Sequence, residues 1–145
     1  MKINVQVMNY KTAEEYALSI HDEVSVMISI SSRDCGEACI IPNQLNNIQE
    51  VKFVEFNDTD NKDLAFGGIT NNQAKEIADF VKRVVKEYKY LDTIIVHCEA
   101  GQSRSAGLAA AILKWLYNDD TKIFNNMRYT PNMLVYRAVL TRLME

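Results

Sequence analysis

Nine consecutive residues, from His97 to Ser105, carry the side-chain types that suit phosphoryl transfer. They read HCEAGQSRS and place Cys98 six positions before Arg104, with Gly101 between the two. A thiolate is a strong nucleophile, and a guanidinium donates two parallel hydrogen bonds to a phosphate. The spacing therefore predicts a nucleophilic cysteine that shares one anion-binding loop with an arginine.

The flanking residues predict a strand, a tight loop and a helix. An apolar run over residues 93–96 leads into the segment, and an alanine-rich stretch over residues 106–116 leads out of it. Amides at a helix N-terminus and the helix dipole favour a bound dianion, and the same field favours a thiolate at Cys98. Ser105 is expected to donate to the sulfur or to cap the helix. The predicted anion cradle consists of the amides of Glu99, Ala100, Gly101, Gln102, Ser103 and Arg104.

The segment resembles the His-Cys-x5-Arg-Ser/Thr signature of the cysteine-based protein tyrosine phosphatase superfamily, and in particular its compact dual-specificity-like phosphatases. Residues 54–59 (VEFNDT) resemble the segment that carries the family's general acid, and residues 130–132 (TPN) resemble the Pro-Asn that opens the last helix. The resemblance implies a protein phosphatase that forms a phosphocysteine intermediate and needs no metal and no cofactor. His97 directly precedes the nucleophile, and we expect it to bond the loop as a structural residue and not to transfer protons.

The proton donor to the leaving group must come from another part of the chain. Residues 57–70 offer Asp58, Asp60 and Asp63, and the resemblance selects Asp58. Asp58 lies forty residues before Cys98, which is further than in most compact members of the family. Asp60 therefore stays open as an alternative acid.

The variable positions of the loop favour a singly phosphorylated substrate. Glu99, Ala100, Gln102 and Ser103 are not basic, whereas relatives that act on phosphoinositides tend to carry lysines there. We expect hydrolysis of phosphotyrosine, with phosphoserine and phosphothreonine left open. The alternatives are a non-catalytic phosphopeptide-binding module and a phosphatase of a small non-protein ester.

The composition predicts one globular domain over residues 1–145. Its 145 residues are 48% hydrophobic and carry a net charge of −3, with no basic run that would indicate nucleic-acid binding. No segment is apolar enough for a membrane span, and the start of the chain lacks the apolar core of a signal peptide. A reactive thiol and an odd number of cysteines favour a reducing compartment. We therefore expect a cytoplasmic monomer whose partner is a phosphorylated protein or peptide.

Strands alternating with helices predict an α/β fold with a small central, mostly parallel sheet flanked by helices. Strands are predicted over residues 3–7, 24–30, 50–56 and 93–96. Helices are predicted from a capping box over residues 12–15, from a second one at Thr70, over residues 106–116 and 121–127, and over residues 131–143 with Thr130 as the cap. Asn132 is predicted to tie the last helix to the loop or to cap it. Cys35 and Cys39 are candidates to resolve an oxidised Cys98.

Overall fold

The strands of the described residues form a parallel four-stranded sheet. The computed structural model describes residues 2–19, 22–32 and 48–145. The strands are β1 Asn4–Met8, β2 Ser25–Ser31, β3 Ile48–Glu55 and β4 Thr93–His97. Their order is β1-β4-β2-β3, and each neighbouring pair is parallel. The predicted α/β class is confirmed, and the residues that follow each strand meet at one edge of the sheet.

Helices cover both faces of this sheet. Their bounds are α1 Tyr10–Leu18, α2 Asn71–Glu87, α3 Arg104–Tyr117, α4 Thr121–Phe124 and α5 Met133–Leu143. A short 3-10 turn spans Leu64–Phe66. The predicted capping box of α2 is confirmed, because Thr70 and Gln73 exchange hydrogen bonds between side chain and backbone. None of the helices in the described ranges is long and apolar enough to cross a membrane.

The central strand β4 is buried on both sides, which explains its continuous apolar sequence. Ile94 and Val96 belong to the larger core cluster, to which α2, α3 and α5 contribute. Ile95 points the other way and packs with Ala13 and Ala17 of α1. The end of β4 is thereby fixed between two apolar layers, and the loop that follows it starts from a rigid position.

Two predicted helix starts are wrong, and in both cases an asparagine is the actual cap. Helix α1 begins at Tyr10, and Asn9 accepts a hydrogen bond from the Thr12 amide, so the capping box over residues 12–15 does not form. Helix α5 begins at Met133 with Asn132 as its cap, instead of Thr130. An asparagine side chain satisfies the first-turn amides at least as well as threonine does. Helix α4 ends at Phe124, earlier than predicted.

Candidate active site

Residues 98–104, which we call the cysteine loop, connect β4 to α3 at the carboxyl edge of the sheet. Gly101 has a φ of +68°, which favours glycine. A Cβ atom at this position would lie 2.7 Å from the Asn9 nitrogen and 2.8 Å from the Met8 carbonyl carbon. The glycine therefore allows both the turn and the close approach of the loop to the end of β1.

The backbone of the cysteine loop is held through its carbonyl groups. The amides of Tyr10, Thr130 and Asn132 donate to the carbonyl oxygens of residues 99, 102 and 103, at 3.1, 2.8 and 3.0 Å. By contrast, the amides of residues 99–103 donate to no acceptor in the described part of the chain. Successive amides without internal partners are the donors that an anion cradle requires. The anion-binding role of the loop stays a prediction, and these amides are the donors that it would use.

Cys98 lies at the start of the loop, against the first turn of α3. Its Sγ atom is 3.0 Å from the Oγ atom of Ser105, within hydrogen-bond distance. Cys98 is 2% exposed and Ser105 is fully buried. Because a thiolate can only accept, the hydroxyl of Ser105 is the donor whenever Cys98 is ionised.

Arg104 is anchored by one end of its guanidinium group. Its Nη1 atom donates to the Ser32 Oγ and to the Phe56 carbonyl oxygen, both at 2.9 Å. Its Nε atom is buried and has no hydrogen-bond partner among the described residues. Arg104 is only 4% exposed, and an unpaired buried donor on a charged group is costly. A phosphate oxygen beside Cys98 would satisfy this donor.

Sequence reasoning did not identify Ser32 or the Phe56 carbonyl as anchors of Arg104. Ser32 follows β2 and Phe56 follows β3, two strands that pair with each other. Only the order of the strands brings these positions to the loop after β4. The available signal was a polar residue directly after a fully buried strand.

His97, the last residue of β4, is held by hydrogen bonds at both ring nitrogens. Its Nδ1 atom lies 3.3 Å from the Cys98 carbonyl oxygen, so this nitrogen carries the proton of the neutral ring. Its Nε2 atom then accepts a hydrogen bond from the Ser29 hydroxyl at 2.6 Å. Burial lowers the pKa of His97 to about 4. A neutral, doubly bonded imidazole fits the structural interpretation made from the sequence.

Of the three candidate acids, Asp58 is the one that contacts the cysteine loop. Its Oδ1 atom accepts hydrogen bonds from the Ser103 hydroxyl at 2.7 Å and from the side-chain Nδ2 atom of Asn132 at 2.9 Å. Asp60 lines a different groove, together with Arg137 of α5. Asp63 caps the 3-10 turn that follows. The structure thus brings Asp58 into contact with the loop that carries the predicted nucleophile.

Asn132 performs both functions that were left open for it. Its Oδ1 atom caps α5 through the Val135 amide at 3.1 Å, and its backbone amide donates to the loop at Ser103. The approach of α5 to α3 requires Gly107, since a Cβ there would lie 2.4 Å from the Asn132 carbonyl oxygen. The other two cysteines, Cys35 and Cys39, lie outside the described residues.

The model of the Rit1 DUSP-like domain family matches residues 70–143, slightly more than half of the chain. The chain belongs to this family. The match spans α2 to α5 and therefore includes the cysteine loop and Asn132, whereas Asp58 precedes it. No curated protein sequence matches the chain significantly.

The fold of this Rit1 DUSP-like domain is similar to the folds of several solved structures. The human tyrosine phosphatase-like serine/threonine/tyrosine-interacting protein is 15% identical, with 95% of this chain and 89% of that chain covered and a TM-score of 0.61. PTPMT1 is 15% identical, with 97% and 90% covered and a TM-score of 0.55. Human DUSP28 is 12% identical, with 97% and 91% covered and a TM-score of 0.53. These similarities establish a phosphatase-like fold and leave the chemistry to be argued from the site.

Proposed function

We propose that this Rit1 DUSP-like domain is a cysteine-dependent protein phosphatase that hydrolyses phosphotyrosine monoesters. The observation that carries the proposal is the buried arrangement of Cys98, Arg104 and Ser105. The sulfur is 3.0 Å from a hydroxyl donor, and the neighbouring guanidinium has an unpaired Nε–H. A nucleophile, a forked cation and a ring of amides are the groups that stabilise the charge spread over a transferring phosphoryl group.

In the first step, the Cys98 thiolate attacks phosphorus on the side opposite the leaving oxygen. A sulfur–phosphorus bond forms while the phosphorus–oxygen bond to the tyrosine breaks. The leaving phenoxide takes a proton from Asp58, and Arg104 holds two of the equatorial phosphate oxygens. The products of this step are free tyrosine hydroxyl and a phosphocysteine.

In the second step, water attacks the phosphocysteine. Asp58, now ionised, accepts a proton from the water, and the sulfur–phosphorus bond breaks to give inorganic phosphate. The sulfur departs as a thiolate and accepts a hydrogen bond from Ser105, which makes it a better leaving group. Both proton and thiolate are thereby returned to their starting positions.

The choice of a phosphoprotein substrate is supported by the side chains on the cysteine loop. Its variable positions present an exposed carboxylate at Glu99 and exposed uncharged groups at Ala100 and Gln102. A loop whose variable positions carry no cation suits one phosphate better than a headgroup with several. PTPMT1 has been solved in complex with PI(5)P, so a phosphoinositide is the alternative substrate to be tested.

The proposal is tested by turnover of an aryl phosphate and of matched phosphopeptides. We expect hydrolysis that the Cys98→Ser variant abolishes, with binding of the peptide retained. We also expect the phosphotyrosine peptide to be hydrolysed faster than PI(5)P in vesicles. Tight phosphopeptide binding without hydrolysis by the unmutated chain would show that the site is a binding module. Faster hydrolysis of PI(5)P, or of small phosphate esters alone, would reassign the substrate class.

A further inference from the structure

Ser103 stands at the N-cap of α3, but its side chain does not cap the helix. Serine is among the best N-cap residues because its hydroxyl satisfies a first-turn amide. In this chain no such side-chain bond forms, and the Ser103 hydroxyl donates to Asp58 Oδ1 at 2.7 Å. The helix thus forgoes the stabilisation that a serine cap normally supplies. Departures from a local rule of this kind are expected at functional sites.

The second donor to Asp58 is fixed in its orientation. The Asn132 Oδ1 atom accepts the hydrogen bond from the Val135 amide, so its Nδ2 atom must point the other way. That Nδ2 atom lies 2.9 Å from Asp58 Oδ1 and 3.1 Å from the Thr59 carbonyl oxygen. Asn132 is 5% exposed, which leaves its amide group little freedom to rotate.

Both donors therefore meet the same oxygen of an exposed aspartate. Asp58 Oδ2 receives no hydrogen bond from the described residues. When Oδ2 carries a proton, Oδ1 keeps its lone pairs and can accept the same two bonds. The arrangement consequently fixes the carboxyl group without occupying the oxygen that would protonate a leaving group.

We propose that Ser103 and Asn132 are positioning residues that together hold Asp58 for proton transfer. This inference rests on the proposed function and deepens it by assigning two residues that act through the acid. Asp58 lies on an exposed segment, and without these bonds its side chain would sample several rotamers. Correct placement of a reacting group accounts for a large part of catalysis, so the loss of either bond should slow the protonation step.

The test compares two aryl phosphates, phenyl phosphate and p-nitrophenyl phosphate, whose leaving groups differ in their need for a proton. Ser103→Ala should reduce kcat about tenfold or more with phenyl phosphate and much less with p-nitrophenyl phosphate. Ser103→Thr keeps a hydroxyl and should restore most of the activity. Asn132→Ser keeps a good cap for α5 but removes the Nδ2 donor, and should behave like Ser103→Ala. Thr141→Ala, at an exposed position near the end of α5 whose hydroxyl donates to the Arg137 carbonyl oxygen, is the matched control and should change neither rate.

A second measurement separates positioning from a general structural role. In an Asp58→Asn background, Ser103→Ala should cause almost no further loss, because the group it positions no longer donates a proton. Equal losses with both substrates, or full additivity with Asp58→Asn, would overturn the inference. Failure of the proposed function looks different: a binding module would hydrolyse neither aryl phosphate, and a phosphatase of another substrate class would hydrolyse both but not the phosphotyrosine peptide.

Discussion

The cysteine loop and the acid segment, which we define as residues 57–67, are built in different ways. Cys98, Arg104 and Ser105 are all at most 4% exposed and begin or follow elements of the core. Asp58 is exposed, and it is held by two side-chain hydrogen bonds, one from Ser103 of the loop and one from Asn132 at the start of α5. The segment around it closes on itself, with the Asn57 amide donating to the Gly67 carbonyl oxygen at 2.7 Å.

The nucleophile and the acid of the proposed site are therefore positioned by different kinds of interaction. The position of the nucleophile follows from the packing of β4 between two apolar layers. The loss of a single hydrogen bond would leave this packing in place. The position of the acid depends on a few polar contacts, each of which contributes about 1 kcal/mol. We therefore expect substitutions at the cysteine loop to have the largest effects, and those at the acid segment to depend on the leaving group.

The largest effect should follow from Arg104→Lys. An ammonium cannot donate two parallel bonds to phosphate, and it cannot keep the contacts of Nη1 with Ser32 and the Phe56 carbonyl at the same time. We expect kcat/KM for an aryl phosphate to fall by about 10³-fold, as for the loss of transition-state donors in other enzymes. Steady-state kinetics with circular dichroism to verify folding would measure this.

The matched control for that change is Arg83→Lys. Arg83 is an exposed arginine of α2 that pairs with Glu50 and lies outside the site. It should leave kcat/KM unchanged. A loss of less than tenfold for Arg104→Lys would mean that the guanidinium does not clamp the phosphate, and that the amides of the loop bind it alone.

A smaller effect is expected from Asp58→Asn. Loss of a general acid typically costs 10²–10⁴-fold, and we expect about 10²-fold with phenyl phosphate. The alkaline limb of the pH–rate profile should also become flat. Asp60→Asn is the matched control, because Asp60 lies two residues further along and lines the groove beside Arg137 instead. If Asp60→Asn removes the limb and Asp58→Asn does not, the acid has been assigned to the wrong residue.

The same difference decides how much of the site could be predicted from the sequence. The cysteine loop could be predicted from the sequence because its nucleophile, cation and turn glycine lie within one strand–loop–helix unit. The acid was not, since Asp58, Asp60 and Asp63 share one polar segment and differ only in what the fold places beside them. The bonds from Ser103 and Asn132 join parts of the chain 45 and 74 positions away from Asp58, and no local pattern encodes them.

The fold was predicted where the signal was periodic, and the errors concerned helix ends. The apolar repeat of α2 and its capping box at Thr70 gave the right start. At α1 and α5 the sequence offers both a threonine and an asparagine as the cap, and in the structure the asparagine, Asn9 or Asn132, caps the helix. The amide of Thr130 is instead used to hold the loop at Gln102.

The last prediction concerns stability instead of turnover and involves His97. Burial lowers the pKa of His97 to about 4 in the folded chain. As the pH falls, His97 therefore takes up its proton near pH 6.5 in the unfolded chain but only near pH 4 in the folded chain. Above pH 6.5 both states are neutral, and stability is unaffected. Between about pH 6.5 and pH 4 the free energy of unfolding should fall, by about 3 kcal/mol in total. Urea unfolding at pH 7.5, 5.5 and 4.5 would measure the loss.

His97→Asn identifies the source of this loss, because asparagine keeps a donor for the Cys98 carbonyl but does not titrate. This variant should lose clearly less stability over the same interval, even if it is less stable at pH 7.5. Hydrogen bonds from Arg83 and Tyr88 hold the pKa of Glu50 below its ordinary value. The contribution of Glu50 to the free energy of unfolding is therefore lost at lower pH than that of His97, and it is present in both variants. An unchanged pH dependence in His97→Asn would contradict the buried neutral imidazole, and with it the rigid support that distinguishes the cysteine loop from the acid segment.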